Sequence, residues 1–315
     1  EANDLAIRIA KYYTGNQGVI VTSEAYHGNS ELTSSFSPSM GENTQLGTWV
    51  RRVPAPDTYR VSAHHFGRWL AQKVSEQIDD LRRRGEGIAA FIVDSLFTSD
   101  GVFFHEPGLL QPAIDVVREA GGIFVADEVQ CGFARTGIKM WGYQTQKITP
   151  DIVTMGKPMG NGYPVAGIAV KPNVVKNFGH DMRYFNTFGG NTVAMAAANA
   201  TLDVLINENL MENAKFVGAM LNSEFRKLKS KDERIGDIRG SGLYWGIEIV
   251  KAGKTKQPDR IAALKLVNEL RRRRVLVSAT SFNGNVLKIR PPLTFSADNA
   301  DRFITQLEAA LETTR

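Results

Sequence analysis

Two acids, Asp127 and Glu128, follow the apolar run Ile123-Phe124-Val125-Ala126, and Lys157 follows Ile152-Val153-Thr154-Met155-Gly156. In an open parallel sheet ligands lie outside the carboxyl ends of the strands, so acids and lysines at strand exits are where chemistry is sought first. A carboxylate and an ammonium at neighbouring exits are open to two readings, a structural ion pair or a ligand site. Gly156, Gly160 and Gly162 tip the balance to the second, because they crowd the lysine with backbone that a ligand can approach closely. An amine held in such a partly dry pocket has its charged form disfavoured.

Strands must present these residues, and the chain supplies strands in alternation with helices. Val19-Ile20-Val21-Thr22 is short and β-branched, and Ala89-Ala90-Phe91-Ile92-Val93 is continuously apolar, as a strand covered on both faces requires. Further strands are expected at 123–126, 152–155 and 166–170, with helices over about 66–84, after Pro107 as far as Gly121-Gly122, and over about 192–207 and 209–229. Residues 34–60, rich in Ser, Pro and Gly, read as irregular. The alternation specifies an α/β fold, a mostly parallel sheet with helices on both faces. Around Lys229 to Glu233 the composition turns charged. Strands at 243–250, 275–279 and 286–290, with helices at 259–273 and from 298, predict a smaller α+β domain over 231–315 after a large domain over 1–230. At the start, Ala2, Ala6, Ile9, Ala10 and Tyr13 form the stripe of an amphipathic helix ending before Gly15. With no initiator Met and no cap before Glu1, the expectation is that the large domain lacks its N-terminal portion.

Composition narrows the function classes. The 315 residues are 43% hydrophobic and 23% charged, which excludes a disordered or fibrous chain. Lys+Arg 38 against Asp+Glu 33 gives +5, concentrated in Arg82 to Arg84 and Arg271 to Arg274. This surplus suits an anionic ligand, and without an aromatic-interleaved basic patch no nucleic-acid partner is expected. Cys131 is the single cysteine, so neither an intrachain disulfide nor a multi-cysteine zinc site is expected, and a reducing, cytoplasmic compartment is. No stretch approaches the roughly 20 apolar residues of a membrane helix, and no membrane partner is expected.

The runs Asp127-Glu128-Val129-Gln130-Cys131-Gly132-Phe133-Ala134-Arg135-Thr136-Gly137, Pro150-Asp151-Ile152-Val153-Thr154-Met155-Gly156-Lys157 and Thr187-Phe188-Gly189-Gly190-Asn191 resemble the class III aminotransferases, pyridoxal 5'-phosphate enzymes of fold type I. Glu1-Ala2-Asn3-Asp4 resembles the end of that family's phosphate loop, and Tyr26-His27-Gly28 its ring-stacking segment. These motifs run in family order from residue 1 to about 293. The resemblance implies that Lys157 forms a Schiff base with the cofactor and moves the substrate proton, while Asp127 keeps the pyridine nitrogen protonated. It implies that Gln130 contacts the ring's phenolic oxygen and that Tyr26 stacks on the ring, worth about 0.5–1.5 kcal/mol beyond area burial. Thr187 matches a threonine that reaches the neighbouring subunit's phosphate, implying a homodimer with a shared active site; it reads equally as a cap for the helix that follows. His27 reads either as a cofactor contact or as a loop histidine bonded locally. Gly240-Ser241-Gly242 precedes a strand and reads as a turn into the small domain rather than a nucleotide fingerprint. Cys131 receives no catalytic role.

Two stretches depart from the family. Many members that take amino acids carry Arg-x-x-Pro-Pro-Leu in the last strand, where this chain has Lys288-Ile289-Arg290-Pro291-Pro292-Leu293. A lysine is a point charge rather than a bidentate fork, so a standard α-carboxylate clamp is in doubt. Lys288 and Arg290 are the expected substrate contacts, for a phosphorylated or ω-amino compound. Asp94 stands where the family commonly has a glutamate, and Ser99 leaves no acid where some members keep one. The pair Lys288 and Arg290, together with residues 54–60 and 155–162, looks closest to a subgroup containing phospholyases that act on phosphorylated amino alcohols. The expected activity is an aminotransferase moving an amino group from an amine, ω-amino or amino acid donor to a keto acid or aldehyde. The alternative is the phospholyase, since both begin with the same proton abstraction. A binding protein without catalysis is opposed by the intact Lys157 and Asp127.

Overall fold

The computed structural model describes residues 1–61, 65–253 and 255–315. Helix α1 (Ala2–Thr14) stops at Gly15, whose φ of 68° lets its N–H turn back to the Lys11 carbonyl. Its buried face runs through Asn3, Ala6, Ile7 and Ala10, at i, i+3, i+4 and i+7. Tyr13, expected in that stripe, is 44% exposed. The chain continues through β1 (Gly18–Thr22), α2 (Glu31–Ser34), β2 (Val50–Val53), α3 (Phe66–Arg83), β3 (Ile88–Asp94), α4 (Gln111–Glu119), β4 (Ile123–Asp127), α5 (Gly142–Thr145), β5 (Ile152–Met155) and β6 (Gly167–Val170). These six strands form one sheet in the order β2-β1-β3-β4-β5-β6, parallel except for β6, which runs antiparallel to β5.

Alternation along the strands feeds two cores. Ile20, Phe91, Val93, Phe124 and Ala126 pack beneath α3 and α4, while Val19, Val21, Ala90, Ile92 and Val125 pack beneath α1. Helices therefore cover both faces, as the apolar runs required. Strand β2 lies within the stretch expected to be irregular. Only Val50 and Val53 of its four residues are buried, and as an edge strand it pairs with β1 alone while Arg51 reaches Asp80 of α3 at 2.6 Å.

After α6 (Pro172–Val175), α7 (Phe178–Asp181), α8 (Thr192–Asn207) and α9 (Leu210–Lys231) come β7 (Ile235–Ser241), β8 (Tyr244–Ile249), α10 (Arg260–Arg272), β9 (Ser278–Thr280), β10 (Val286–Ile289) and α11 (Ala297–Thr313). The last four strands make an antiparallel sheet, β7-β8-β10-β9. Its core is shared with α9, α10 and α11; Val217, Leu221 and Phe225 of α9 belong to it, so this packing begins before residue 231. Strand β7 was not expected, because its sequence IGDIRGS carries two glycines and little apolar periodicity. Pairing with β8 makes it a strand, through a tight turn in which Gly242 has φ 55° and a Cβ would lie 2.4 Å from the Thr136 carbonyl carbon. Among the described residues no helix is long and apolar enough to cross a membrane.

Candidate active site

Strands β3, β4 and β5 end side by side, with Asp94 in register with Asp127 and Asp127 in register with Thr154. The two acids that open the loop after β4 point in different directions. Glu128 is turned into the protein, accepting from Ser95 Oγ (2.7 Å) and from the backbone N–H of Gly142 (2.6 Å) and Tyr143 (2.8 Å). This anchors the loop while Asp127 and Gln130 line a cleft of about 760 Å³ together with Tyr26, His27, Lys157, Lys288 and Arg290.

Asp127 Oδ1 accepts the Val129 N–H at 3.0 Å. Oδ2 accepts from Asn3 Nδ2 at 2.9 Å and lies 2.8 Å from His27 Nδ1. Asn3 also donates to the His27 carbonyl at 2.6 Å, so α1, the loop after β1 and the end of β4 are tied at one carboxylate. His27 is buried and bonded to a residue a hundred positions away, which replaces the local hydrogen bond considered from sequence. Asn3 was missed as a site residue. The signal was an asparagine on the apolar face of an amphipathic helix, where a polar side chain needs a partner.

Lys157 follows an extended Gly156 and has φ 43°, a left-handed conformation uncommon for a residue with a Cβ. The side chain opens into the cleft. Desolvation lowers its pKa below the usual lysine value, helped by the positive charges of Arg290 and Arg135 and opposed by Asp94 and Asp127. Gln130 is held from both ends: its Nε2 donates to Thr98 Oγ1 at 2.6 Å and its Oε1 accepts from the Tyr244 hydroxyl at 3.2 Å. Thr98 in turn donates to Asp94, which also accepts the N–H groups of Leu96 and Thr98, while burial pushes the Asp94 pKa upward.

The opposite wall comes from β10. Lys288 is 9% exposed, and burial pulls its pKa down to about 8, with Asp94 holding it up and Arg290 and Lys157 pushing it down. Among the described residues no carboxylate lies within salt-bridge distance of it. Arg290 is exposed and donates to Ser278 Oγ at 3.0 Å. The backbone beside it is fixed by Arg135, which donates to the carbonyls of Leu243 and Pro291. Asp100, behind this wall, accepts from Thr22 Oγ1 (2.6 Å) and the Glu24 N–H (2.9 Å), and burial raises its pKa to about 7.

Tyr26, Gln130, Asp127, Lys157, Lys288 and Arg290 thus meet in one cleft, and Thr187 does not. It sits on an exposed loop away from the cleft lining. Nor does it cap α8; Asn191 does, accepting the Ala194 N–H at 2.9 Å. The buried Cys131 thiol is pushed well up by desolvation and Glu128, away from thiolate chemistry.

The donor set suits pyridoxal phosphate. Asp127 Oδ1 has a single donor and room for another, the Lys157 amine is bonded to no described residue, and Asn3 Oδ1, His27 Nε2 and Thr154 Oγ1 are buried without partners.

Comparison with known proteins gives the same picture. The family described as Aminotransferase class-III matches residues 1–311. A Drosophila melanogaster protein named alanine-glyoxylate aminotransferase 2-like is 40% identical over 96% of this chain, and the chain spans 64% of that protein's length. Ethanolamine-phosphate phospho-lyase homolog 1 of Caenorhabditis elegans is 37% identical over 99% of this chain and 71% of its own length. Among solved structures, a phospholyase from Arthrobacter in complex with phosphoethanolamine matches with a TM-score of 0.95 and 36% identity, covering 99% of this chain and 75% of that one.

Proposed function

Since the chain belongs to the class III aminotransferases, a pyridoxal phosphate-dependent family, we propose that it is a lyase releasing inorganic phosphate from a phosphorylated amino alcohol. The observation that carries this reading is the wall facing Lys157. A buried ammonium at Lys288 with the exposed Arg290 beside it offers two positive charges to a compact anion, and position 288 itself supplies a point charge rather than a fork for a carboxylate. Pyridoxal phosphate, when bound, supplies an electron-withdrawing ring that takes up the electron pair left on the substrate carbon. Lys157 Nζ would hold the cofactor and, as a neutral amine, would take the proton from that carbon. Asp127 would hold the ring nitrogen in its protonated form, with Asn3 and His27 keeping the carboxylate in place. Lys288 and Arg290 bind the phosphate group, which departs with the electron pair of its C–O bond. The balance is amine phosphate plus water giving aldehyde, ammonia and phosphate, with no redox partner.

Transamination is the second reading, favoured by 40% identity to a protein named as an aminotransferase. One experiment divides them. Cofactor-loaded protein receives phosphoethanolamine, or alanine with a keto acid, while inorganic phosphate and the amine form of the cofactor are followed together. The lyase gives phosphate equal to substrate consumed, and the amine cofactor without phosphate would establish the transaminase instead. Lys288 carries its charge below about pH 8 and loses it above, so kcat/KM for the phosphorylated substrate falls as pH rises through that value. Lys288→Met removes this limb.

The same reading includes a homodimer. Helix α8 is apolar nearly all round, yet Val193, Val204 and Ile206 are 58%, 44% and 59% exposed, and Phe185 and Phe188 flank Thr187 at 86% and 78%. A second copy covering this face would bury it and carry Thr187 to the neighbour's phosphate site. Light scattering on the loaded protein is expected to give a dimer at micromolar concentration, and Phe185→Asp with Phe188→Asp a monomer that holds cofactor more weakly. A monomeric wild type with tight cofactor binding would refute the shared site. A cytoplasmic location fits the single, buried Cys131.

A further inference from the structure

We propose that Tyr244 is a positioning residue that fixes the amide of Gln130 toward the cofactor and seats the Lys288 ammonium, so that one residue of the small sheet sets both sides of the cleft. Tyr244 opens β8 and is 1% exposed, packed with Leu96, Val102 and Cys131. Its hydroxyl donates to Gln130 Oε1 at 3.2 Å, Gln130 Nε2 donates to Thr98 Oγ1 at 2.6 Å, and the Thr98 hydroxyl donates to Asp94. The chain of donors runs one way. An amide has two orientations of nearly equal shape, and what selects one is a donor at the oxygen end and an acceptor at the nitrogen end. Thr98 is the acceptor because its own hydrogen goes to the Asp94 carboxylate, and Tyr244 is the donor. Gln130 is thereby left with one amide hydrogen for the phenolic oxygen of the cofactor. The face of the Tyr244 ring lies 5.9 Å from Lys288 Nζ, within reach of a cation–π attraction.

This inference rests on the cofactor assignment and is independent of whether the product is phosphate or an amine cofactor. Its test uses the loaded protein without substrate, reading the cofactor dissociation constant and the pH midpoint of the visible band of the bound cofactor. The titratable and charged groups lining the cleft around that band are Glu1, Glu24, Tyr26, His27, Asp94, Asp127, Lys157, Lys288 and Arg290, all present in each variant. In Tyr244→Phe the ring stays and the donor goes. The cofactor dissociation constant rises roughly three- to tenfold, and the midpoint moves up because the phenolic oxygen loses a donor that favoured its deprotonated form. Thr98→Val, which cannot accept from Gln130, behaves like Tyr244→Phe, and Thr98→Ser like wild type. In a separate assay with an anionic substrate, Tyr244→Leu raises KM and Tyr244→Phe does not. Wild-type dissociation constants and midpoints in both Tyr244→Phe and Thr98→Val would overturn the proposal while leaving the proposed function standing. A wild-type protein that binds no pyridoxal phosphate would overturn both.

Discussion

Lys157→Ala is expected to lower kcat/KM on the order of 10⁴-fold or more, because in the proposed mechanism one side chain serves as covalent anchor and as base, and alanine replaces neither. The protein is expected to stay folded. The lysine side chain opens into the cleft and is bonded to no other described group, and alanine keeps the Cβ at a position where the backbone already has φ 43°. The measurement pairs steady-state rates with borohydride reduction followed by peptide mapping. Wild type carries the reduced cofactor on Lys157 and the variant on no residue. Among the described residues Lys288 is the other lysine lining the cleft, with a pKa drawn down to about 8, and is the natural competitor. A reduced adduct on Lys288 in wild type, or full activity in Lys157→Ala, would reverse the roles given to the two lysines. A Lys288→Met protein tested alongside keeps its adduct and loses affinity for the anionic substrate.

How far the sequence reached depended on where the information was stored. Strands β3, β4 and β5 are buried on both faces, so their apolar runs are continuous, and the acid and lysine at their exits stood out. Strands β2 and β7 were invisible for the opposite reason. Val-Arg-Arg-Val and Ile-Gly-Asp-Ile-Arg-Gly-Ser become strands through pairing with a neighbour, and nothing in either run announces the partner. The site divides in the same way. Asp127, Gln130 and Lys157 lie in motifs whose resemblance to a family names their roles, and Lys288 showed itself as a departure from one of them. Asn3, Thr98, Arg135 and Tyr244 act through hydrogen bonds to residues 32 to 156 positions away in sequence, a relation that spacing cannot display. Thr187 is the converse case. Its motif resembles one that reaches a phosphate, and within one chain it stands in the open, the placement that the proposed homodimer would use.

Asp127→Asn is expected to cost about 10²- to 10⁴-fold in turnover and a measurable fraction of stability. The two losses have different causes. For stability, the carboxylate accepts from the Val129 N–H on one oxygen and from Asn3 Nδ2 and His27 Nδ1 on the other. An amide has one acceptor end, so whichever way it turns, its NH₂ faces a donor, and a buried unsatisfied group costs about 1–3 kcal/mol. For turnover, the neutral amide no longer stabilises a protonated ring nitrogen, and without that proton the ring withdraws electrons poorly from the carbon where the negative charge develops. Asn3→Ala separates the two. It deletes one donor and leaves the charge, so thermal unfolding should fall by an amount comparable to Asp127→Asn while turnover falls no more than about tenfold. Equal rates in the two variants would mean that Asp127 works through the architecture of the loop rather than through its charge. Wild-type turnover in Asp127→Asn would remove it from the chemistry altogether, leaving Lys157 without the partner that makes its proton abstraction productive.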